Sequence, residues 1–494
     1  MTLSRRHILQ LGGATLSAVA MQERALARGA LEELTSRARN DAADHTIRIG
    51  TSLVELGPET IISTKTYNGQ FPGPLLRLTE GKPVVVDIHN DTDTPEQLHW
   101  HGQFLPANVD GAAEEGTPYI PARGMRSIVF TPGPAGFRFY HTHLAARTDL
   151  SSGLYSGQVG LVYVEPQHDM GAYDREVFIT LKEFAPFLSR TEMPHDFLAP
   201  TKIVLGLRAA ALAALDASLK RGLQQGYELA YNFFSVNGRM LGTGEPIRVK
   251  AGERVLFHVL NASASEIRSL ALAGHVFNVV TLDGNPVPRP ANVPVLWLGP
   301  AERVSAVVEM KEPGVWVLGD LDDDARSHGM GIVVEYAGHT GAAQWKKPMP
   351  FRWDYTRFGN PTTVTARVDE TINLTFAVRP GAREGFDEFT INGAAFSMEK
   401  MEPRFRLIRG RRYRLHLRNA TDDIHPVHLH RNSFELSSIA GTPTAGVIKD
   451  VVMIGGFQEM TIDFTADRPG LSLFHCHMQH HMDFGFMALF DCSA

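Results

Sequence analysis

The sequence is poor in cysteine, in net charge and in long apolar runs, and each shortage limits what the protein can be. Its 494 residues include only two cysteines, Cys476 and Cys492, and these alone leave the redox compartment undetermined. The formal net charge is −6, which argues against a nucleic-acid partner. Beyond the N-terminal region no apolar run approaches membrane-spanning length, so we expect no membrane span. The 16 methionines are scattered, without a methionine-rich insertion.

An internal repeat predicts the architecture. Three segments of the chain (81–90, 252–261 and 410–419) run from Gly to Asn with apolar residues alternating between them, which is typical of a strand between turns. A proline-glycine turn later in each unit, at Pro134, Pro313 and Pro469, precedes an aromatic or aliphatic strand. With a hydrophobic content of 43%, the chain is expected to form three β-sandwich units with real cores.

Histidine, unlike cysteine, is concentrated in clusters. A lone His-x-His pair is most often two polar residues on one strand face, but four clusters in one chain indicate metal binding. The clusters are His99-Trp100-His101, His141-Thr142-His143, His425-Pro426-Val427-His428-Leu429-His430, and His475-Cys476-His477 with His481 four residues on. Imidazole and thiolate together favour copper, zinc or iron, and a His₂Cys set with a weak axial position indicates blue copper.

The segment His475-Cys476-His477 can serve two metal sites at once. Side chains alternate faces along a strand, so the two histidines point one way and Cys476 points the other. Covalent bonds would then connect a thiolate site directly to a histidine site.

In order and in internal spacing, the four clusters resemble those of the multicopper oxidases, the laccase-like family. The resemblance covers nearly the whole chain after the N-terminal region. It implies an all-β fold of three cupredoxin-like Greek-key β-sandwich domains and four copper ions. A type 1 copper would accept electrons from a substrate, and a cluster of one type 2 and two type 3 coppers would reduce dioxygen to water.

The resemblance also implies a ligand for each copper. His425, Cys476 and His481 match the type 1 ligands, and His99 and His428 match the type 2 ligands. The type 3 ligands are matched by His101, His141, His143, His430, His475 and His477. His480 competes with His481, but a spacing of five residues from Cys476 favours His481. Electrons are expected to arrive through an exposed edge of His481. With Cys476 a ligand, Cys492 is expected to be a buried free thiol, without a disulfide.

The late strands of the three units show how they diverged. Residues 139–143 keep two histidines but have Thr142 in place of a thiolate, whereas residues 317–321 have no ligand. Residues 473–477 carry the complete set. The first and third units should therefore face each other around the trinuclear cluster, with the second unit as a spacer.

The expected limits are 45–168, 172–342 and 365–494 for the three cupredoxin domains. An Ala- and Leu-rich stretch within 201–225 predicts a helix inserted in the second domain. This helix either covers a domain edge or forms a lid over the type 1 site, and the sequence cannot decide between these positions.

Residues 1–27 predict a twin-arginine signal peptide. Arg5 and Arg6 precede a modestly apolar stretch, and Ala25-Leu26-Ala27 offers a cleavage site. Export by the twin-arginine machinery to the periplasm or the exterior is expected; the alternative is a basic disordered tail.

Two further residues have expected roles. Phe486 stands ten residues after Cys476, where many bacterial relatives have a coordinating Met, and should leave the type 1 copper without a thioether and raise its potential. Met487 would face away on a strand. Asp110 matches a family acid near the type 2 copper that can shuttle protons; alternatively it is a turn residue before Gly111. Many bacterial relatives carry Glu directly after the second type 1 His, whereas this chain has Met482 and departs there from half of the family's usual proton path.

Three functions remain open. A laccase-like oxidase of phenols or aromatic amines is favoured by the complete ligand set and by Phe486. A metallo-oxidase of Cu(I) or Fe(II) is the second, although its usual methionine-rich insertion is missing. A copper-free structural or assembly homologue is disfavoured by the eleven matching ligands.

Overall fold

A computed structural model describes residues 43–166, 173–189, 228–360, 366–383 and 385–493. Among these residues strands make up most of the regular structure, and no helix spans more than five residues. The predicted signal peptide and the helix predicted within 201–225 lie outside the described residues.

The first unit consists of two four-stranded sheets, in the orders β2-β1-β4-β6 and β3-β8-β7-β5. Its strands are β1 (His45–Gly57), β2 (Thr60–Tyr67), β3 (Gly73–Thr79), β4 (Val84–Asn90), β5 (His99–His101), β6 (Met125–Phe130), β7 (Gly136–His141) and β8 (Val159–Glu165). Apolar side chains of the two sheets, including Val86, Ile128, Trp100 and Val162, pack into one core. The unit is therefore a sandwich.

The second unit has a six-stranded sheet, β10-β9-β12-β17-β14-β15, and a five-stranded sheet, β11-β19-β18-β13-β16. The strands are β9 (Arg175–Ser189), β10 (Glu228–Val236), β11 (Ile247–Val249), β12 (Arg254–Asn261), β13 (Arg268–Leu272), β14 (Phe277–Leu282), β15 (Asn285–Val293), β16 (Leu296–Leu298), β17 (Arg303–Glu309), β18 (Val315–Gly319) and β19 (Gly331–Tyr336).

The third unit repeats this plan. Its larger sheet has the order β21-β20-β23-β29-β25-β26, with β27 also paired to β25, and its smaller sheet has the order β22-β31-β30-β24-β28. The strands are β20 (Glu370–Arg383), β21 (Phe386–Ile391), β22 (Arg404–Arg406), β23 (Arg412–Asn419), β24 (His425–Leu429), β25 (Phe434–Ile439), β26 (Thr442–Pro443), β27 (Ile448–Lys449), β28 (Val451–Ile454), β29 (Glu459–Thr465), β30 (Gly470–Cys476) and β31 (Met487–Cys492).

Short helices fill turns between strands. In the part of the chain that the structure describes, the α-helices are α1 (Ala107–Asp110), α2 (Asp323–Ser327) and α3 (Gln479–Asp483). The 3₁₀ turns are Ala113–Glu115, Gly153–Tyr155 and Tyr355–Phe358. No helix within the described residues combines the length and apolar character that a membrane crossing requires.

Strand register places the histidine clusters at equivalent positions of the first and third units. Opposed residues on the corresponding strand pairs are His99 and His141 (β5 and β7), His428 and His475 (β24 and β30), and Ala271 and Gly319 (β13 and β18). The second unit thus has small side chains where the other two units have histidines.

All three units share an apolar interface. One core cluster contains Phe137 and Phe139 from the first unit, Leu260 and Ala301 from the second, and Val451 from the third. Burial of these side chains favours close contact between the units, which holds β5 and β7 near β24 and β30.

Candidate metal centres

Cys476 forms the first group with two histidines. Its Sγ lies 3.3 Å from His481 Nδ1 and 3.7 Å from His425 Nδ1, and the three side chains are buried. The two Nδ1 atoms are 3.1 Å apart. His425 Nε2 lies 2.7 Å from Thr421 Oγ1, so a hydrogen bond there orients Nδ1 toward the thiol. Two imidazoles and one sulfur converge as in a blue copper site.

Phe486 packs against this group. Its ring centroid is 4.8 Å from that of His425, and the side chain is 1% exposed. Met487 belongs to a different apolar cluster, together with Phe396 and Leu489. The phenyl ring of Phe486, rather than the thioether of Met487, therefore lies beside the Cys476 group.

The second group is a centre of eight buried histidines between the first and third units. Three subsets have potential ligand atoms within 4.8 Å of one another: His99, His101 and His428; His101, His141 and His477; and His143, His430 and His475. Each subset draws on both units. Trp100 and Leu429, which alternate with these histidines, point into the apolar cores.

Outer hydrogen bonds orient the rings. Nδ1–H donates to a backbone oxygen from His141 (to Thr142, 2.7 Å), from His428 (to Asp450, 2.7 Å) and from His475 (to Cys476, 2.8 Å). Such bonds fix the tautomer and leave the Nε2 lone pair free for a metal.

Several inner nitrogens have no protein partner. Nε2 of His99 and of His428, and both ring nitrogens of His143 and of His477, are buried without a hydrogen bond. An unsatisfied buried polar atom is costly, so this convergence of free imidazole nitrogens fits bound metal. The donor set, nitrogen throughout plus one sulfur, fits copper.

Asp110 lies at the edge of the histidine centre. Its Oδ2 is 2.9 Å from His99 Nδ1 and 3.0 Å from His430 Nδ1, and the side chain is fully buried. Gly111 follows with φ 109°, and a Cβ there would lie 2.0 Å from the backbone oxygen of Leu98. Only glycine therefore allows the chain to turn so close to β5.

Sequence reasoning missed three acidic residues at this centre. Glu115 Oε1 lies 3.5 Å from His430 Nδ1, and Glu114 Oε2 lies 3.6 Å from His143 Nδ1. Asp450 Oδ1 lies 3.1 Å from His101 Nε2. The sequence indicates these acids only weakly. Glu114 and Glu115 are adjacent acids shortly after Asp110, and Asp450 follows Lys449 just before an apolar run.

Burial controls protonation of the ligands. It lowers the pKa of eight imidazoles well below the usual 6.5: His101, His141, His143, His428, His430, His475, His477 and His481. The pKa of His425 falls to about 3, also through burial. These rings are therefore neutral and able to donate lone pairs. Burial raises the pKa of the Cys476 thiol, so a metal is needed to stabilise its thiolate.

The expectation that His481 has a solvent-exposed edge is wrong for this chain. His481 is 4% exposed, because the ring of Phe389 lies against it at a centroid distance of 4.0 Å. His480 is partly exposed, and its ring centroid is 4.2 Å from that of His481. His480 is outside the group that His481 forms with Cys476 and His425.

Multicopper oxidase family models match residues 52–169, 210–329 and 363–493. Together they cover more than half of the sequence, so the chain belongs to the multicopper oxidase family. The expected family is confirmed, and with it copper binding and the enzyme class, a laccase-like copper oxidoreductase that uses dioxygen.

Individual relatives agree. Multicopper oxidase MmcO of Mycobacterium tuberculosis is 29% identical over 442 residues, covering 87% of this chain and 83% of that protein. The solved laccase of Botrytis aclada has a TM-score of 0.73 at 16% identity, covering 91% of this chain and 87% of that one. A metallo-oxidase of Campylobacter jejuni has a TM-score of 0.66 at 19% identity, covering 91% of both chains. The predicted all-β, cupredoxin-like fold is confirmed.

We predict that the copper-free protein loses stability as pH falls from about 7 to about 5. Folding lowers the imidazole pKa values, so below the ordinary pKa the unfolded chain binds more protons and acid favours it. Six carboxyls whose pKa burial raises act oppositely (Glu114, Glu115, Glu266, Glu302, Asp320 and Asp483), but they are outnumbered by the nine ligand imidazoles. Thermal unfolding followed by circular dichroism should show a falling Tm. A constant or rising Tm would contradict this balance.

Proposed function

We propose that this multicopper oxidase oxidises phenols or aromatic amines by single electrons and reduces dioxygen to water. The observation that carries the proposal is the pairing of a buried His₂Cys group with a buried eight-histidine centre, joined through Cys476. In this proposal the protein consists of three cupredoxin domains, 45–168, 172–342 and 365–494.

We assign four copper positions by ligand group. His425, Cys476 and His481 would hold the type 1 copper, and His99 and His428 the type 2 copper. The two type 3 coppers would be held by His101, His141 and His477, and by His143, His430 and His475. When bound, copper supplies single-electron acceptance at the thiolate site, and at the histidine centre the transfer of four electrons to dioxygen, which takes up four protons and yields two waters.

The chain itself links the two centres. Covalent bonds run from Cys476 to His475 and His477, whose side chains reach the histidine centre. The His475 Nδ1–H donates to the Cys476 backbone oxygen at 2.8 Å, which adds a second, shorter connection between the same residues. Cys476 thus carries electrons from one group of ligands to the other.

Asp110 is proposed to move protons. Its Oδ2 accepts from His430 Nδ1–H and lies 2.9 Å from His99 Nδ1, which donates to the Asp110 backbone oxygen, while Oδ1 is buried without a hydrogen-bond partner. Glu114 and Glu115 on the adjoining turn extend a row of carboxyls from Asp110, and burial raises the pKa of Glu114 to about 6. A carboxyl titrating near neutral pH both takes up and releases protons readily. In this proposal Glu114 and Glu115 take over the proton transfer of the acid that many relatives carry at the position of Met482.

A metallo-oxidase of Cu(I) or Fe(II) is the second candidate. Met482 of α3 and Met487 of β31 lie in one apolar cluster, with Met401 packed against it. Thioethers are soft ligands that suit Cu(I). Both buried thioethers are enclosed by apolar side chains, which favours a packing role and leaves organic donors as the first choice. The complete ligand set disfavours a copper-free structural homologue.

We further propose export by the twin-arginine machinery to the periplasm or the exterior. The proposal is based on Arg5 and Arg6 and the cleavage site Ala25-Leu26-Ala27.

Oxygen uptake by the copper-loaded protein tests the donor class. We expect phenols and aromatic amines to support faster uptake than Cu(I) or Fe(II), by about tenfold or more in kcat/KM, which is ~1.4 kcal/mol of transition-state stabilisation. The Cys476→Ser variant should lose uptake with every donor, because it lacks the thiolate. The reverse ranking would identify a metallo-oxidase, and no uptake with any donor would refute both enzyme hypotheses.

Replacement of Asp110 by Asn should slow dioxygen reduction about 10- to 100-fold, since the amide keeps a hydrogen-bond acceptor but cannot take up or release a proton. The blue absorption of the Cu–thiolate should remain intact. Asp93, whose side chain is 83% exposed, gives the matched control Asp93→Asn, which should turn over normally. Unchanged turnover in Asp110→Asn would refute the role.

The Phe486→Met variant should lower the type 1 potential, because a thioether stabilises oxidised copper. A shift of about 59 mV is a tenfold change for a one-electron couple, so redox titration of the blue absorption measures it well. Phe486→Leu, which adds no ligand, is the control. If Phe486→Met has the same potential as Phe486→Leu, Phe486 does not occupy the axial position.

A further inference from the structure

His101 differs from the other oriented histidines of the centre. His99, His141, His428, His430 and His475 all use Nδ1 for their outer hydrogen bonds. His101 instead directs Nε2 outward, to Asp450 Oδ1 at 3.1 Å, and its Nδ1 faces His141 Nε2 at 3.4 Å. The Asp450 carboxylate therefore determines which nitrogen His101 turns toward the centre.

Two arginines from other units hold that carboxylate. Arg303, at the start of β17 in the second unit, donates from Nη1 to Asp450 Oδ1 and from Nη2 to Asp450 Oδ2, each at 2.6 Å. Arg138, on β7 of the first unit, has Nη1 at 3.5 Å from Asp450 Oδ2. All three side chains are fully buried. A bidentate fork between planar groups fixes the orientation of the carboxylate as well as its position.

The backbone next to His101 is shaped around this contact. Gly102 has φ 77°, and a Cβ at that position would lie 2.7 Å from Asp450 Oδ2 and 2.9 Å from Arg303 Nη2. Asp283 supports the fork from behind, because its backbone oxygen accepts from Arg303 Nη2 at 3.1 Å and its carboxylate binds Lys449 at 3.0 Å. The network connects all three units at one ligand.

We propose that Arg303 is a positioning residue of the trinuclear copper centre, acting through Asp450 on His101. The second unit, which contributes none of the assigned copper ligands, then does more than space the other two: it determines the ring orientation of a ligand supplied by the first. The inference depends on the proposed trinuclear assignment, and it concerns copper binding at that centre rather than the choice of donor.

The test compares Arg303→Gln and Arg303→Lys with Arg268→Gln. Arg268 is a matched control, since it is a buried arginine of the same unit, beside Asp320 at 3.8 Å, without a contact to any ligand. Copper per chain is measured by atomic absorption, and type 1 occupancy by the blue absorption. Two rates are also followed: anaerobic reduction of the blue copper by a phenol, and reoxidation of the reduced protein by dioxygen.

Arg303→Gln should keep the blue absorption and the anaerobic reduction rate, but lose copper beyond the type 1 equivalent and slow reoxidation, with affinity for the missing copper lower by about 10- to 100-fold. Arg303→Lys keeps the positive charge but cannot make the bidentate contact with Asp450. It should show the same selective loss to a smaller extent. If Arg303→Gln does not fold, Arg303→Lys alone tests the proposal. Arg268→Gln should lower the Tm while keeping the ratio of copper at the two centres.

The proposal would be overturned if the ratio of copper at the histidine centre to copper at the blue site were the same in all three variants as in the wild-type protein. Arg303 would then be a structural residue. Wild-type protein that binds copper only at the blue site would instead refute the proposed trinuclear centre itself, so the two failures are distinguishable.

Discussion

The alternation of side chains along β30 is the constraint on which both metal centres depend. His475 and Cys476 are neighbours, so their side chains lie on opposite faces, and pairing of His428 with His475 sets β24 in register beside them. The face of β30 that carries His475 therefore contacts the histidines of the first unit. The face that carries Cys476 contacts His425, His481 and the aromatic core. A slip of one residue in that register would exchange the two faces and destroy both groups of ligands.

Burial makes this arrangement chemically useful and costly at the same time. Inside the protein the imidazoles stay neutral and their lone pairs remain free, yet each unsatisfied nitrogen destabilises the copper-free chain. Buried carboxylates around the centre offset part of this destabilisation, because they bind the outer nitrogens of the rings. Asp110 bridges two ligands, and Asp450 reaches a third under the control of Arg303. Interfaces between the units are therefore as important to the site as the strands that carry its ligands.

Much of this was predictable from local sequence. Strand periodicity and the repeated Gly-to-Asn segments predict the sandwiches, and the histidine spacing identifies the residues that the fold brings together. The side chains of Phe486 and Met487 pack into different apolar clusters, as the alternation expected for neighbouring residues in extended chain predicts. The role of Asp450, by contrast, depends on residues 147 and 312 positions away, Arg303 and Arg138, and no local pattern encodes such a contact. Burial of His481 under Phe389 is likewise a tertiary effect.

Anomalous diffraction at the copper edge, from crystals of the copper-loaded protein, tests the central claim most directly. The account predicts four peaks: one among His425, Cys476 and His481, and three among the eight histidines between the first and third units, with one of these three next to His101 Nδ1. A single peak at Cys476 with none among the eight histidines, or peaks only at surface residues, would contradict it.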